Sequence, residues 1–208
     1  MLGLFLSAFV TFFVVIDPPG CAPIFASLTR GGSEAHRRAM ALRSTGIATI
    51  ILILFALVGE PLLTSLGISL DAFRIAGGIM VFLIAIEMVF EKRTQRREDR
   101  ARKILVAHEV EDVSIFPMAM PMIAGPGSIA SVMLMMSRNH GLERVVVVLA
   151  ALATILALTL VALLAAGPLM RLLGARIEAV ITRILGVLLG ALAVQFVIDG
   201  IRISLGLS

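Results

Sequence analysis

The sequence predicts an all-α membrane protein with six transmembrane spans, arranged as two inverted three-span repeats in which spans one and four are broken. Three observations support this fold class. Hydrophobic residues make up 59% of the 208 residues and the mean hydropathy is +1.05, whereas soluble domains contain about 45–50% apolar residues. Six apolar segments are long enough to cross about 30 Å of hydrocarbon. The two halves of the chain also resemble each other in sequence.

Each predicted span is bounded by polar or turn-forming residues. The six segments cover residues 2–29, 39–59, 71–90, 113–136, 145–167 and 179–201. At 1.5 Å per residue, each is long enough to cross the membrane as a helix. The sequence therefore predicts an even number of crossings, with both termini on the same side.

Two of the six spans contain residues that interrupt a helix. The first is broken at Asp17, Pro18, Pro19 and Gly20, and the fourth at Ala124, Gly125, Pro126, Gly127 and Ser128. Proline lacks an amide proton, so a proline inside a helix leaves one carbonyl without its helical partner. In hydrocarbon, irregular backbone is tolerated only inside protein or beside a water-filled cavity. A matched pair of broken spans therefore predicts a solute-binding site of a transporter at the two breaks.

The internal repeat rests on matches that keep their order at offsets of 107 to 109 residues. The stretch 59–67 resembles 167–174, and Pro19-Gly20 matches Pro126-Gly127. Because each repeat has an odd number of spans, the second copy must cross the membrane in the opposite sense. The predicted domains are the first repeat at 1–90, a charged cytoplasmic linker at 91–112 and the second repeat at 113–208.

Lys and Arg are distributed unequally between the two predicted faces of the membrane. Fourteen of the 18 lie in or beside the loops that follow spans one, three and five, and four lie on the opposite side. Cytoplasmic loops carry the excess of Lys and Arg. The linker is therefore expected in the cytoplasm and both termini outside.

Composition and motifs argue against several function classes. The basic residues lie in loops between apolar segments, so the net charge of +4 does not indicate nucleic-acid binding. The three histidines fall in predicted loops and there is one cysteine, so no metal cluster and no cofactor are expected. The sequence lacks a G-x-x-x-x-G-K-[ST] motif, and its spans lack a Ser/His/Asp set, which argues against ATP-driven transport by this chain alone and against an enzyme.

Five polar residues in the apolar spans are candidates for function. Asp17 either belongs to a substrate or proton-coupling site or caps the helix after the break. Ser128 either caps its half-helix or contacts a ligand, and Glu87 either extends to the interface or relays protons. Gln195 and Asp199 are expected to line an outer vestibule. The amides that begin the two half-helices would suit the carboxylate of a small zwitterion.

Several stretches resemble the MarC family of bacterial inner-membrane proteins. They are 67–78, 117–121, 124–130 and 194–200, and the resemblance covers nearly the whole chain. It implies a six-span protein similar to proton-linked transporters of small neutral amino acids such as glycine and alanine. In this comparison Asp17-Pro18-Pro19-Gly20 corresponds to the break in the first helix, and Cys21 stands where Asn is common.

We therefore expect a secondary transporter of a small polar solute in the inner membrane, with a neutral amino acid as the solute that the resemblance implies. Asp17 and Glu87 are the candidates for proton coupling. The alternative is a membrane binding or scaffold protein that transports nothing. The expected partners are the small solute and the lipid bilayer, without nucleic acid, and nothing in the sequence specifies an oligomer.

Overall fold

The computed structural model describes residues 1–90 and 112–206, so the predicted linker lies outside the described residues apart from Asp112. The described residues form helices and no strand. They are α1 (Leu2–Ile16), α2 (Pro18–Leu28), α3 (Glu34–Ser65), α4 (Leu70–Val89), α5 (Ser114–Ile123), α6 (Pro126–Arg138), α7 (Leu142–Leu164) and α8 (Ala166–Ser204). Five helical segments are long and apolar enough to cross a membrane, counting α1 with α2 as one, or six if α5 and α6 form one bent span. A multi-pass helical protein is thus confirmed.

Side-chain caps and the position of proline explain where the long helices begin. Ser33 accepts a hydrogen bond from the His36 amide at 3.2 Å and Ser69 accepts one from the Ala72 amide at 3.1 Å, at the starts of α3 and α4. Helices α3 and α8 extend beyond the predicted spans at 39–59 and 179–201, and the candidate membrane span within α8 is Thr182–Ser204. In α8, Pro168 lies in the first turn, where a missing amide proton costs no helical hydrogen bond.

The helices of the two halves pack across each other. The broken first span, α1 and α2, packs on α7, and the broken fourth span, α5 and α6, packs on α3. Helix α4 contacts α6, α8 contacts α2, and α4 and α8 form the most extensive pair. Glycines allow this last contact, since a Cβ at Gly186 would lie 2.9 Å from Met88 Cβ.

Polar contacts identify which helix ends lie together. Arg43 Nη1 lies 3.3 Å from Asp112 Oδ2, joining the beginning of α3 to the chain just before α5. We call this side of the bundle the Arg43 end. On the opposite side, Arg74 Nη2 donates to the Ser137 carbonyl at 3.0 Å, joining the beginning of α4 to the last turn of α6. We call this side the Arg138 end, after the last residue of α6.

Candidate functional site

The break in the first span is the single residue Asp17. Its backbone has φ 60° and ψ 65°, in the left-handed region, and it separates the last residue of α1 from the first residue of α2. Pro18 and Pro19 occupy the first two positions of α2, where the amide proton has no helical acceptor in any case. The predicted break at residues 17–20 is therefore too wide, because the prolines begin the next helix.

The Asp17 carboxylate caps α2. Its side chain is 5% exposed, and Oδ1 accepts a hydrogen bond from the Gly20 amide at 3.1 Å. A side chain at Gly20 would overlap this carboxylate. The Cys21 thiol, at 3.5 Å, donates to the carbonyl of Ile16. The structure thus shows the capping role of Asp17, while its role in solute binding or coupling stays a prediction.

The second break is preceded by wide helical turns. In α5 the Met118 amide donates to the Val113 carbonyl at 3.3 Å, and the Ala124 amide donates to the Ala119 carbonyl at 2.9 Å. Both hydrogen bonds span five residues, which is the pattern of a π-helix. The axes of α5 and α6 differ by 51°. The predicted interruption of span four is therefore present, and its backbone is partly satisfied by these i→i+5 bonds.

Helix α6 begins without a side-chain cap. Gly125 is the N-cap residue, Pro126 is the first helical residue, and no side chain accepts a hydrogen bond there. The interpretation of Ser128 as a cap is therefore wrong, because the helix begins two residues before it. Ser128 is 3% exposed. Ala124, Gly125 and Gly127 are also buried, whereas Pro126 is exposed.

The structure brings the two breaks together in the interior. A Cβ at Gly127 would lie 3.5 Å from Val15 Cγ1, two residues before Asp17, and would overlap Ile84 Cδ1 of α4. Helix α1 also packs against α6, and α2 against α5. The residues predicted from the two breaks are therefore neighbours, and the side chain of Ile84 covers Gly127 in this conformation.

Glu87 lies on the same helix as Ile84, nearer the Arg43 end. It is half-buried and follows Ile84 by three residues, which is about 4.5 Å along the helix axis. Glu87 takes part in contacts of its own. Its position next to the covered break keeps both predictions open, extension to the interface and proton relay.

An Arg–Asp pair at the Arg138 end was missed by the sequence reasoning, which expected Gln195 and Asp199 to line a vestibule. Arg138 of α6 pairs with Asp199 of α8, and the guanidinium carbon lies 4.4 Å from the centre of the Phe196 ring. Gln195 Nε2 donates to Asp199 Oδ1 at 2.6 Å. The sequence feature that could have predicted this pair is the presence of opposite charges, Arg138 and Asp199, at the ends of two apolar spans.

Arg74 joins this cluster from α4. It is 9% exposed, pairs with Asp71 at 3.3 Å and donates to the Ser137 carbonyl. Its Nε atom is buried without a hydrogen-bond partner. Within the described part of the chain, no group of three or more His, Cys, Asp or Glu is placed to hold a metal ion.

The comparison with known proteins agrees with this architecture. Residues 2–205 match the model described as "MarC family integral membrane protein". The chain belongs to the MarC family. This MarC protein is 36% identical over 198 residues to the UPF0056 membrane protein MJ1677 of Methanocaldococcus jannaschii. The alignment covers 95% of this chain and 96% of the relative.

Bacterial relatives are similar over most of their length. The MarC protein is 35% identical over 195 residues to the UPF0056 membrane protein YhcE of Escherichia coli, covering 93% of this chain and 90% of the relative. It is 31% identical over 202 residues to YvbG of Bacillus subtilis, covering 97% and 96%. No solved structure matches the chain. The resemblance to the MarC family is thus confirmed, and the matched descriptions name integral membrane proteins.

Proposed function

We propose that this MarC protein is a secondary transporter of a small polar solute in the bacterial inner membrane. The observation that carries the proposal is the contact between the two broken spans, where Gly127 packs against Val15. Breaking a helix at membrane depth exposes backbone groups that cost several kcal/mol each when unsatisfied. Two such breaks side by side are expected of a transport site and serve no purpose in a simple anchor.

The chemistry of the breaks suits a small neutral amino acid such as glycine or alanine. Helices α2 and α6 both begin there, and the positive ends of their dipoles favour a carboxylate. Helix α1 ends at the same break, and the negative end of its dipole favours the ammonium group. The side chains of Val15 and Ile84 lie close to Gly127, which favours a solute with little or no side chain.

The pairing of helices supports the inverted repeat. In the two repeats, helices α1 to α4 correspond to α5 to α8 in order. The packing of α1 and α2 against α7 then corresponds to the packing of α5 and α6 against α3, and the contact of α4 with α6 corresponds to that of α8 with α2. Both pairings are observed, and the α4–α8 pair maps onto itself. Such invariance is expected for two repeats related by a pseudo-two-fold axis. Together with the Lys and Arg count, it supports outward termini and a cytoplasmic Arg43 end.

Proton coupling would use the two acids nearest the breaks. Asp17 is a buried carboxylate at the first break, and Glu87 lies one turn beyond the residue that covers the second. Intramembrane carboxylates are frequent members of proton relays in transporters. We assign the coupling role to Asp17 and a relay role to Glu87.

The proposal is tested by uptake into liposomes that contain the purified protein. Radiolabelled glycine and alanine should enter in a saturable manner, and an imposed pH gradient should drive their accumulation. Gly125→Ala should reduce uptake, because its methyl group would overlap the Pro121 carbonyl at the break. Gly190→Ala is the control, since its nearest neighbour lies at 3.7 Å.

Folded protein that takes up none of the small neutral amino acids would contradict the proposal. That result would favour the alternative of a membrane binding or scaffold protein. Uptake that the pH gradient does not affect would retain transport and reject the coupling roles of Asp17 and Glu87.

A further inference from the structure

We propose that Arg138 and Asp199 form a latch that closes the Arg138 end of the transport path, and that the breaks open toward this end when the pair separates. The inference rests on the proposed transport function. It concerns α6, which begins at the second break and ends at the Arg138–Asp199 pair. A movement of α6 therefore connects the latch directly to the site.

On one side, polar contacts hold the end of α6. Arg138 pairs with Asp199 of α8 and lies over the Phe196 ring, and the neighbouring Ser137 carbonyl accepts a hydrogen bond from Arg74 of α4. The Arg138 and Asp199 side chains are 25% and 28% exposed. Such a pair is strong enough to hold a helix end and weak enough to separate within a transport cycle.

The charges make the latch depend on Asp199. Arg74 and Arg138 lie at the same end of the bundle, since Arg74 donates to the carbonyl of Ser137, the residue before Arg138. Asp71 offsets the charge of Arg74, and Asp199 offsets that of Arg138. Removal of the Asp199 charge would leave Arg138 without its counter-charge at the end of α6, next to the Arg74–Asp71 pair of α4, and would release α6 from α8.

On its other side, the end of α6 faces open space. A cavity of about 770 Å³ lies between α3, α6 and α7, and its lining includes Glu60, Thr64, Met136, Asn139 and His140. Helix α6 therefore has room to move away from α4 and α8. Its beginning is held closely, since Gly127 packs against Ile84 and Val15. This arrangement allows α6 to tilt about the break.

The contact between the middle of α6 and α3 also permits such a tilt. Met133 of α6 packs against Gly59 of α3, where a Cβ would lie 2.7 Å from the Met133 methyl carbon. A methionine side chain is unbranched and flexible, so it can follow a moving partner without leaving a large void.

The native cysteine reports the opening without an added thiol. Cys21 is the only cysteine in the chain, is 0% exposed and lies in the first turn of α2 beside Asp17. A small, charged, membrane-impermeant thiol reagent is added to one face of oriented membrane vesicles at a time. Asp199→Asn should increase the rate of Cys21 labelling from the Arg138 end about tenfold, which corresponds to about 1.4 kcal/mol, and should not increase it from the Arg43 end.

Arg43→Gln is the matched control. It removes an ion pair of the same type, Arg43 with Asp112 at 3.3 Å, from the opposite end of the bundle, and should leave labelling from the Arg138 end unchanged. Arg138→Gln is a second variant that removes the latch from α6. It should also increase labelling from the Arg138 end, and Ser128→Cys in a Cys21→Ala background should report the same change from α6 itself.

The latch is refuted if neither Asp199→Asn nor Arg138→Gln, both shown to be folded, changes the labelling rates of Cys21 and of the cysteine at position 128. An equal increase from both faces would also refute it, because that result indicates general loosening. Glycine and alanine uptake by the wild type separates this inference from the proposed function. Side-specific labelling without uptake retains the latch and rejects the transport proposal, whereas uptake without a labelling response rejects the latch alone.

Discussion

Substitutions of Asp17 separate three properties of this residue that the structure combines. Its backbone is left-handed and its carboxylate caps α2 through the Gly20 amide. Asn tolerates the same backbone and keeps the capping oxygen, so Asp17→Asn should change the free energy of unfolding little. Gly adopts the left-handed backbone readily but has no capping oxygen, so Asp17→Gly should lower the free energy of unfolding by a few tenths of a kcal/mol. Ala disfavours the left-handed backbone and also lacks the capping oxygen. Asp17→Ala should therefore lower the free energy of unfolding by about 1–2 kcal/mol for the backbone and about 1 kcal/mol for the cap.

The native thiol also provides the stability assay. Because Cys21 is fully buried and unique, a thiol-reactive dye reports thermal unfolding in detergent. For chains of 150–250 residues, 1 kcal/mol shifts Tm by about 2–4 °C. The total of about 2–3 kcal/mol for Asp17→Ala therefore predicts a Tm about 4–12 °C lower, with Asp17→Asn near wild type and Asp17→Gly between them. Equal melting of the Ala and Asn variants would refute the left-handed, capping geometry.

The Asp17→Asn variant then isolates the charge. It keeps the backbone and the cap but cannot titrate, so solute binding and exchange should persist while accumulation driven by a pH gradient disappears. If gradient-driven accumulation in proteoliposomes remains close to wild type, Asp17 acts only as a cap. The relay candidate Glu87 is then tested in the same assay with Glu87→Gln.

Three further predictions concern packing, topology and pH. Gly186→Ala should destabilise the protein by about 1–3 kcal/mol, since its Cβ would lie 2.9 Å from Met88 Cβ, whereas Gly190→Ala, with 3.7 Å to its nearest neighbour, should be neutral or slightly stabilising in the same melting assay. A reporter fused after Arg97 should be active in the cytoplasm, and activity only outside the cell would contradict the predicted topology. Hydrogen bonds from Ser114 hold the pKa of Asp112 below its ordinary value of 3.8. The ionised carboxylate therefore stabilises the fold above pH 3.8, and this contribution is lost as the pH falls through the lowered pKa. The free energy of unfolding, measured from about pH 7 to about pH 3, should show this loss in the wild type and lack it in Asp112→Asn.

The features predicted well from sequence are those that depend on local properties. The length of an apolar segment determines whether it can span the membrane, and a proline limits the helix that precedes it. The position of Pro18 and Pro19 inside α2 was missed because a proline is excluded from a helix interior and accepted in the first turn. Asp17 determines where the prolines lie relative to the helices, because its left-handed backbone ends α1 and its carboxylate caps the start of α2.

The features missed from sequence are an irregular helix and the contacts between distant residues. The wide turns of α5 follow no apolar periodicity, since they are set by i→i+5 hydrogen bonds around prolines. The cluster at the Arg138 end joins residues 61 and 63 positions apart, from Arg138 to Asp199 and from Arg74 to Ser137. Arg74 and Arg138 were used only to orient the chain, and Asp199 was expected to line a vestibule. Their pairing could not be predicted because it requires knowledge of which helices are neighbours.

The two breaks are equivalent in helix position but differ in chemistry. The sequence match of Pro19 with Pro126 places Ala124 opposite Asp17. In the structure, Pro18 and Pro126 are both first helical residues, so the N-cap Asp17 corresponds to the N-cap Gly125.

This corrected match explains why only one break carries an acid. A Cβ at Gly125 would overlap the Pro121 carbonyl, so the second break has no space for a carboxylate at its N-cap position. The breaks together then provide one carboxylate, and transport coupled through it should move one proton per solute. Simultaneous measurement of pH change and solute uptake in proteoliposomes tests this ratio. A ratio of two that falls to one in Glu87→Gln would show that a second proton moves outside the breaks, through the relay residue on α4.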